Sequence, residues 1–437
     1  MTDASTEPSS PAADPRLSRR SFLAGSAAVG AAAVVGGVGG VALASVVAPE
    51  KTTAAGPVPG YVPFDGEHQA GIVTPIRPQA AALFVALDAV VTSRAELTTA
   101  LAEVTRRSRE LGAGMAPSAG DTLYPPPESG IVGPTVGPSD LTITWAFGAS
   151  LFDDRFGLAG QRPRQLVRMP VFRNDRLQAG LSHGDLFLQI CAADETSCIH
   201  ALRYLMLGTR GSLVVRWLIH GFQQRPGGVE GVTAPGSPPA TRRNLLGFKD
   251  GTANPPVGDR AVADQLVWVG PGQGEPSWAI GGSYLVARTI RMFVERWDRT
   301  ALGEQESIIG RTKRTGAPLG LAREDDDPGY AGDPSGARIP LDAHIRLANP
   351  RTPGTEPNRI LRRGYSYSRG FDGAGLLDQG LFFVAFQQDL ERGFVTVQGR
   401  LSGEPLEEYI QTVGGGYFFA PPGTRGPDGV IGGALFG

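Results

Sequence analysis

The sequence predicts an α+β fold of two successive units with antiparallel sheets. Three observations carry this expectation. Short apolar runs suited to strands alternate with stretches of helical spacing. Between residues 80 and 222 they follow the order strand, helix, strand, strand, helix, strand. After a connector rich in Gly and Pro, a similar order returns.

The first unit opens with Ala80–Val91 (AAALFVALDAVV), an apolar run suited to a buried strand. Ser93–Leu111 has helical spacing, with Leu97, Leu101 and Val104 on one face. Residues 116–139 are crowded with Pro and Gly and read as loop. Leu141–Gly148 (LTITWAFG) alternates as a strand does, and Asp185–Ala192 (DLFLQICA) is a further strand. Thr196–Leu207 is helical and Leu213–Phe222 closes the unit as a strand. This is the split βαβ order of a ferredoxin-like unit. Gln223–Thr241 is the connector. In the second unit, Ser283–Phe293 reads as strand, Trp297–Ile309 as helix, His344–Ala348 as a short strand and Leu381–Phe386 as strand. Asp389–Leu401 can support a helix, and Tyr417–Ala420 ends the set. The expected class is therefore α+β, tandem ferredoxin-like units of the dimeric α+β barrel type.

Composition narrows the function. The 437 residues carry 41 Lys and Arg against 43 Asp and Glu, so no basic field points to nucleic acid. Two cysteines exclude a disulfide scaffold and any Cys-built zinc or iron–sulfur site. Cys191 and Cys198 are expected as buried free thiols. The five histidines, His68, His183, His200, His220 and His344, show no HxH or HxxxH spacing that would mark a local metal motif. Gly270–Gly274 (GPGQG) lacks dinucleotide-fingerprint spacing.

The leader is informative. Ser18-Arg19-Arg20-Ser21-Phe22-Leu23 precedes an uncharged stretch of Ala, Gly and Val that runs to Pro49. A twin arginine before a weakly apolar run is the pattern of a Tat export signal. Ala42-Leu43-Ala44 offers a small-residue cleavage site. The run is long enough to span a bilayer, but its many glycines favour export over a retained anchor. The expected organisation is a signal peptide at 1–44, a linker at 45–61, an N-terminal unit at 62–224 and a C-terminal unit at 225–437. The product belongs in the periplasm or outside the cell.

Gly247-Phe248-Lys249-Asp250-Gly251-Thr252-Ala253-Asn254-Pro255 is the densest cluster of turn and polar residues. Alone, its Asp-Gly reads as a tight turn, and His344 alone reads as a packed strand residue. Together with DAHIRLANPR at Asp342–Arg351 and ILRRGYSY at Ile360–Tyr367, the cluster resembles the dye-decolorising (DyP-type) haem peroxidases. GFKDGTANP and the Tat leader are similar to their deferrochelatase/peroxidase branch. Further matching pieces, such as GEHQAGIVTP at Gly66–Pro75 and LFFVAFQQD at Leu381–Asp389, extend the likeness from residue 64 to about 420. The acidic insertion Arg323–Arg338 (REDDDPGYAGDPSGAR) departs from the pattern and is expected to touch none of the matched motifs. Its aspartates read as a solvated loop.

The resemblance implies one haem b per chain, with His344 as the iron ligand and the opposite face open to peroxide. It implies Asp250 as the acid–base residue and Arg362 as a fixed positive charge beside it. Gly251, Thr252 and Ala253 would line the haem, as would Asn349, Pro350 and Arg351, the last near a propionate. Asp389 is the candidate to hold the other imidazole nitrogen. Hydrogen peroxide and an organic or porphyrin substrate are the implied reactants, a homodimer the implied assembly, and iron-importer components implied partners. Iron release from haem is a further implied activity. The competing reading is a non-catalytic haem- or iron-handling partner of a ferrous-iron importer. The other four histidines are expected to be structural. If Ile360–Tyr367 is a strand, Arg362 and Ser366 share one face, and Tyr365 and Tyr367 share the other as candidate electron relays.

Overall fold

A computed structural model describes residues 60–114, 122–133, 137, 139–224 and 241–436. The leader, most of the linker and the greater part of the connector lie outside the described residues.

The first unit holds β1 (Ala81–Ala89), α1 (Arg94–Gly112), β2 (Thr142–Gly148), β3 (Leu186–Ala192), α2 (Glu195–Gly208) and β4 (Leu213–Phe222). The second holds α3 (Arg260–Leu266), β5 (Ser283–Met292), α4 (Val294–Trp297), α5 (Leu302–Ile309), α6 (His344–Ala348), β6 (Leu361–Arg362), β7 (Tyr365–Phe371), β8 (Leu377–Gln387), α7 (Thr396–Leu401) and β9 (Ile410–Ala420). Strands of the first unit lie in the order β2-β3-β1-β4, and those of the second in the order β9-β5-β8-β7. Each is the ferredoxin-like order, with the first strand of the unit central and its last strand at one edge. β2 pairs with β9, and β4 meets β7 through Phe222 and Ser366, so the two sheets join edge to edge in a ring.

Alternation along each strand divides the core. Phe84, Phe187, Phe382, Phe386 and Phe418 point into the ring from both units and form one cluster with Trp217, Tyr365 and Tyr367. The opposite face of β1, Leu83, Val85 and Leu87, packs beneath Leu97, Leu101 and Val104 of α1 and Ala201 and Leu205 of α2. Ser93 caps α1, its hydroxyl accepting from the Glu96 N–H while Glu96 accepts from the Ser93 N–H.

The second unit treats its outer face differently. In the first unit, helices of 19 and 14 residues lie directly on the sheet. The stretch expected as one helix over Trp297–Ile309 is instead the separate pieces α4 and α5, broken at Asp298–Ala301. The segment expected as a strand at His344–Ala348 is the helix α6. Asp389–Leu401 forms a π turn followed by α7. Pieces of four to eight residues cannot cover the sheet continuously. On the same face of β5 that carries buried Tyr284 and Val286, the chain places Arg288, Ile290 and Met292, and these line a cavity.

Cys191 and Cys198 are buried and free, as expected. Tyr365 and Tyr367 do share the face away from Arg362, but both are sealed inside the ring against Phe84 and Phe382 rather than lying at the surface.

β8 supplies one wall of the cavity, and its fit against β5 is tight at Gly380, where a Cβ would lie 2.0 Å from the Ile290 carbonyl oxygen. Gly380→Ala should therefore destabilise the protein by about 1–3 kcal/mol through overpacking. Urea unfolding of the variant beside the wild type measures this. An unchanged midpoint would mean that β5 and β8 can separate freely there.

Candidate active site

The cavity encloses about 260 Å³ between the outer face of the second sheet and the short helices. One wall is the Gly247–Ala253 loop. Phe248 anchors it by packing edge-on to Trp297 at 6.0 Å between ring centroids, and the Trp297 Nε1–H donates to the Leu246 carbonyl. The Asp250 N–H donates to the Arg242 carbonyl at 2.8 Å. Gly251 has φ +113°, and a Cβ there would meet nothing nearer than Asn254 Nδ2 at 4.0 Å. The loop can therefore bring its backbone to the cavity edge where a side chain would occupy the space.

Arg362 reaches this loop from β6. Its Nη1 donates to Asp250 Oδ1 at 2.6 Å, and both side chains are partly exposed to the cavity. The contact is fixed at backbone level. Asn254 Nδ2 donates to the Arg362 carbonyl at 2.8 Å, and the Arg362 N–H donates to Asn254 Oδ1 at 3.2 Å. Asp250 Oδ2 keeps no protein hydrogen bond among the described residues, so it can accept a proton.

Across the cavity lies α6, with His344 as its first residue. Its Nδ1–H donates to Glu404 Oε2 at 2.7 Å, and Glu404 is almost fully buried. Burial opposes a charge on His344, but the adjacent Glu404 carboxylate and its hydrogen bond prevail and raise the imidazole above its ordinary range. With Nδ1 engaged, Nε2 is the ring nitrogen that could act as a ligand. Glu404 thus occupies the place expected for Asp389, whose carboxylate instead accepts from the Arg392 N–H at the start of the following helical turn. The sequence signal was weak here, because Glu404 lies 60 positions after the histidine in a loop. Arg400 of α7 fixes the other end of α6 by donating to the Leu347 and Ala348 carbonyls.

Thr252, Ala253, Asn349 and Arg351 also line this cavity, whereas Pro350 does not. The remaining four histidines are engaged elsewhere or lie outside the site: His68 stacks on Trp268, His200 meets Ser129, His220 meets Glu195, and His183 lines no wall of this cavity.

The acidic insertion corrects an expectation. Glu324 accepts from Lys249 Nζ at 2.6 Å and from the Thr252 hydroxyl at 2.8 Å, on either side of Asp250. Asp333 accepts from Arg346 of α6 at 3.1 Å, and Tyr330 lines the cavity. The insertion therefore touches both the loop and the helix motifs. Arg288, another residue without a sequence signal, forms a buried ion pair with Asp175 at 2.5 Å on the cavity wall.

These residues fit a haem. The walls are largely apolar, with Ile290, Leu381, Phe383 and Phe394 among them. The Tyr330 hydroxyl and Arg359 Nε are buried donors with no partner, and Arg311 and Arg351 add positive charge at the same rim. That donor set suits the carboxylates of an otherwise apolar disc. Among the described residues no cluster of three or more His, Cys, Asp or Glu could hold a metal ion on its own, and no helix is long and apolar enough to cross a membrane.

The chain is similar to known proteins over most of its length. Residues 69–223 match the family described as Dyp-type peroxidase, N-terminal, and residues 241–425 match Dyp-type peroxidase, C-terminal. Residues 16–36 match the twin-arginine translocation signal. The chain is 48% identical to the deferrochelatase of Yersinia pseudotuberculosis over 93% of its own length and 92% of that protein. It is 50% identical to the deferrochelatase of Escherichia coli K12 over 85% and 86%. Among solved structures it is similar to DtpA of Streptomyces lividans, with a TM-score of 0.76, 36% identity and coverage of 86% and 98%. A DyP-type peroxidase of Streptomyces coelicolor gives 0.76, 37%, 86% and 96%.

Asn254→Ala removes both bonds between the loop and β6. It should cost about 1–3 kcal/mol of stability and slow peroxide consumption by letting Asp250 and Arg362 drift apart. Denaturant unfolding and stopped-flow mixing with peroxide measure the two effects. Loss of stability with an unchanged peroxide rate would show that the pair holds its geometry without the clamp.

Proposed function

The chain belongs to the DyP-type peroxidase family, and we propose that it works through the cavity between the Asp250 loop and α6. It is an exported haem peroxidase that uses hydrogen peroxide to oxidise organic substrates. We place the cofactor site in a C-terminal unit at 225–437, preceded by an N-terminal unit at 62–224. One haem b per chain would be ligated by His344 Nε2. The observation that carries this reading is the 2.6 Å Asp250–Arg362 pair on one wall of a cavity whose other wall presents His344, held by Glu404.

Haem, when bound, supplies the iron at which peroxide is reduced. With haem in place, Asp250 Oδ2 would take a proton from one peroxide oxygen and return it to the other, so that water can leave. Arg362 cannot lose its own proton and stabilises the negative charge that develops on the departing oxygen. Glu404 keeps the proton on His344 Nδ1, which orients the ring and makes Nε2 the electron-pair donor. Arg351 and Asn349, with Arg359 and Tyr330, would hold the cofactor's carboxylates. Gly251, Thr252 and Ala253 let the loop backbone close on its edge.

His344→Ala should lose or sharply weaken haem retention, read from the Soret band of the purified protein. Asp250→Asn should keep haem but slow the reaction with peroxide by about 10²–10⁴-fold. Full haem content in the first variant would remove His344 as the ligand, and an undiminished rate in the second would move the proton chemistry to Arg362 or water.

The relatives named deferrochelatase support a second activity at the same pocket, release of iron from haem with the porphyrin intact. Anaerobic incubation with haem should then yield metal-free protoporphyrin. Recovery of intact haem alone would confine the protein to peroxidase chemistry.

A further inference from the structure

A second cavity, of about 240 Å³, lies against the site already described, and the Asp250–Arg362 pair forms part of the wall between the two. Gly251, Leu381 and Phe383 also face both. The lining is strongly one-signed. Among the described residues, five arginines contribute to it, Arg77, Arg242, Arg243, Arg362 and Arg363, and Asp250, which Arg362 already pairs, is the one carboxylate. Arg363 is 3% exposed. Its Nη1 donates to the carbonyls of Pro75 and Ile76, its Nη2 is buried without a partner, and no carboxylate among the described residues neutralises it. Arg242 donates to the Gln79 carbonyl and the Gln223 side chain, again with no carboxylate.

Burial pulls both Arg242 and Arg363 below the ordinary guanidinium range, and for Arg242 the nearby Arg77 and Arg363 charges add to the effect. Partly desolvated like charges at this spacing destabilise one another, and an anion among them relieves the repulsion. Leu381 and Phe383 add apolar side chains to the same lining.

We propose that this arginine-lined cavity binds a small aromatic carboxylate as the reducing substrate, with its anionic group among the arginines. The inference rests on the reading of Asp250 and Arg362 as the reacting end of the peroxidase pocket. The cavity supplies the features such a molecule needs: fixed positive charge for the carboxylate, apolar side chains for the ring, and a shared wall with the site of peroxide reduction. The stoichiometry closes on two phenolic carboxylates per turnover. Each loses one electron and its phenolic proton to become a phenoxyl radical, and the two electrons and two protons reduce one hydrogen peroxide to two waters.

The test uses full-length holoprotein and matched probes that differ only in charge. In calorimetry, benzoate should bind at least about tenfold more tightly than benzamide. Arg242→Gln, and separately Arg77→Gln at the exposed mouth, should abolish that difference with the Soret spectrum unchanged. In turnover, each variant should raise the KM for 4-hydroxybenzoate about tenfold at unchanged kcat, and leave the kinetics of 4-hydroxybenzamide as in wild type. Added salt should weaken the discrimination. Equal binding of benzoate and benzamide by wild type overturns the proposal. So does a preference for benzoate that survives both substitutions, which would place the anion at the other cavity's arginines. Failure of the peroxidase reading looks different: neither phenol is oxidised, while the calorimetric preference for benzoate persists.

Discussion

Everything at this site depends on one contact made twice, the reciprocal hydrogen bonds between the Asn254 carboxamide and the backbone of Arg362. A side-chain ion pair at 2.6 Å could not by itself hold a flexible guanidinium against a loop, because a partly exposed pair is worth little and long side chains lose entropy in one geometry. The clamp acts before the ion pair does. It fixes the start of β6 to the loop four residues beyond Asp250, so the guanidinium and carboxylate meet with few torsions left to choose. The loop is fixed in turn by Phe248 on Trp297, and β6 by its pairing with Leu361 opposite Phe386 and Arg362 opposite Ala385 of β8. Core packing is thereby converted into the position of two charged atoms.

The cavity itself follows from what the second unit lacks. Both units share a strand order, yet the first buries its outer face under two long helices and the second does not. Four short helical pieces, tied by polar contacts such as Asp333 to Arg346 and Arg400 to the end of α6, stand off the sheet. Polar Arg288 on the sheet face, compensated by Asp175, keeps that surface from simply collapsing onto the helices. A duplicated scaffold can thus carry one solid layer and one hollow one, the difference lying in helix length and in a few buried charges.

Much of this was legible in the sequence, and the exceptions have physical reasons. The first unit follows from periodicity, because Leu97, Leu101 and Val104 repeat at helical spacing and the strands alternate or run apolar. The motif residues Asp250, His344 and Arg362 could be found because the three runs that hold them, taken together, resemble those of a known family, whereas Asp250 and His344 alone read as structural. The helix α6 reads as strand because five residues give no period, and it is held by contacts outside it, from Arg346 to Ile339 and from the distant Arg400 to Leu347. Glu404 was hidden for the same reason: nothing local distinguishes a glutamate in a turn from one that orients an imidazole. The acidic insertion was the sharpest case. DDD reads as solvent-facing, and Asp325 is exposed, yet the neighbouring Glu324 is the residue that grips Lys249 and Thr252. Composition describes a segment's average environment, whereas a site is built by the one residue that departs from it.

The Asp250–Arg362 pair also has two sides. Toward α6 it faces the cavity lined by His344, and toward β4 it faces a cavity lined by arginines. In the reaction proposed above, the pair would supply a proton acceptor and a fixed positive charge at one point. The second side adds a field rather than a reactant, since the charge of buried Arg363 is felt through a medium that screens it poorly. The residue that must exchange a proton and the residues that sort approaching molecules by charge therefore share a wall without sharing a task. In this fold Arg362 lines both cavities, whereas Arg363, adjacent in sequence, lines the second and not the first.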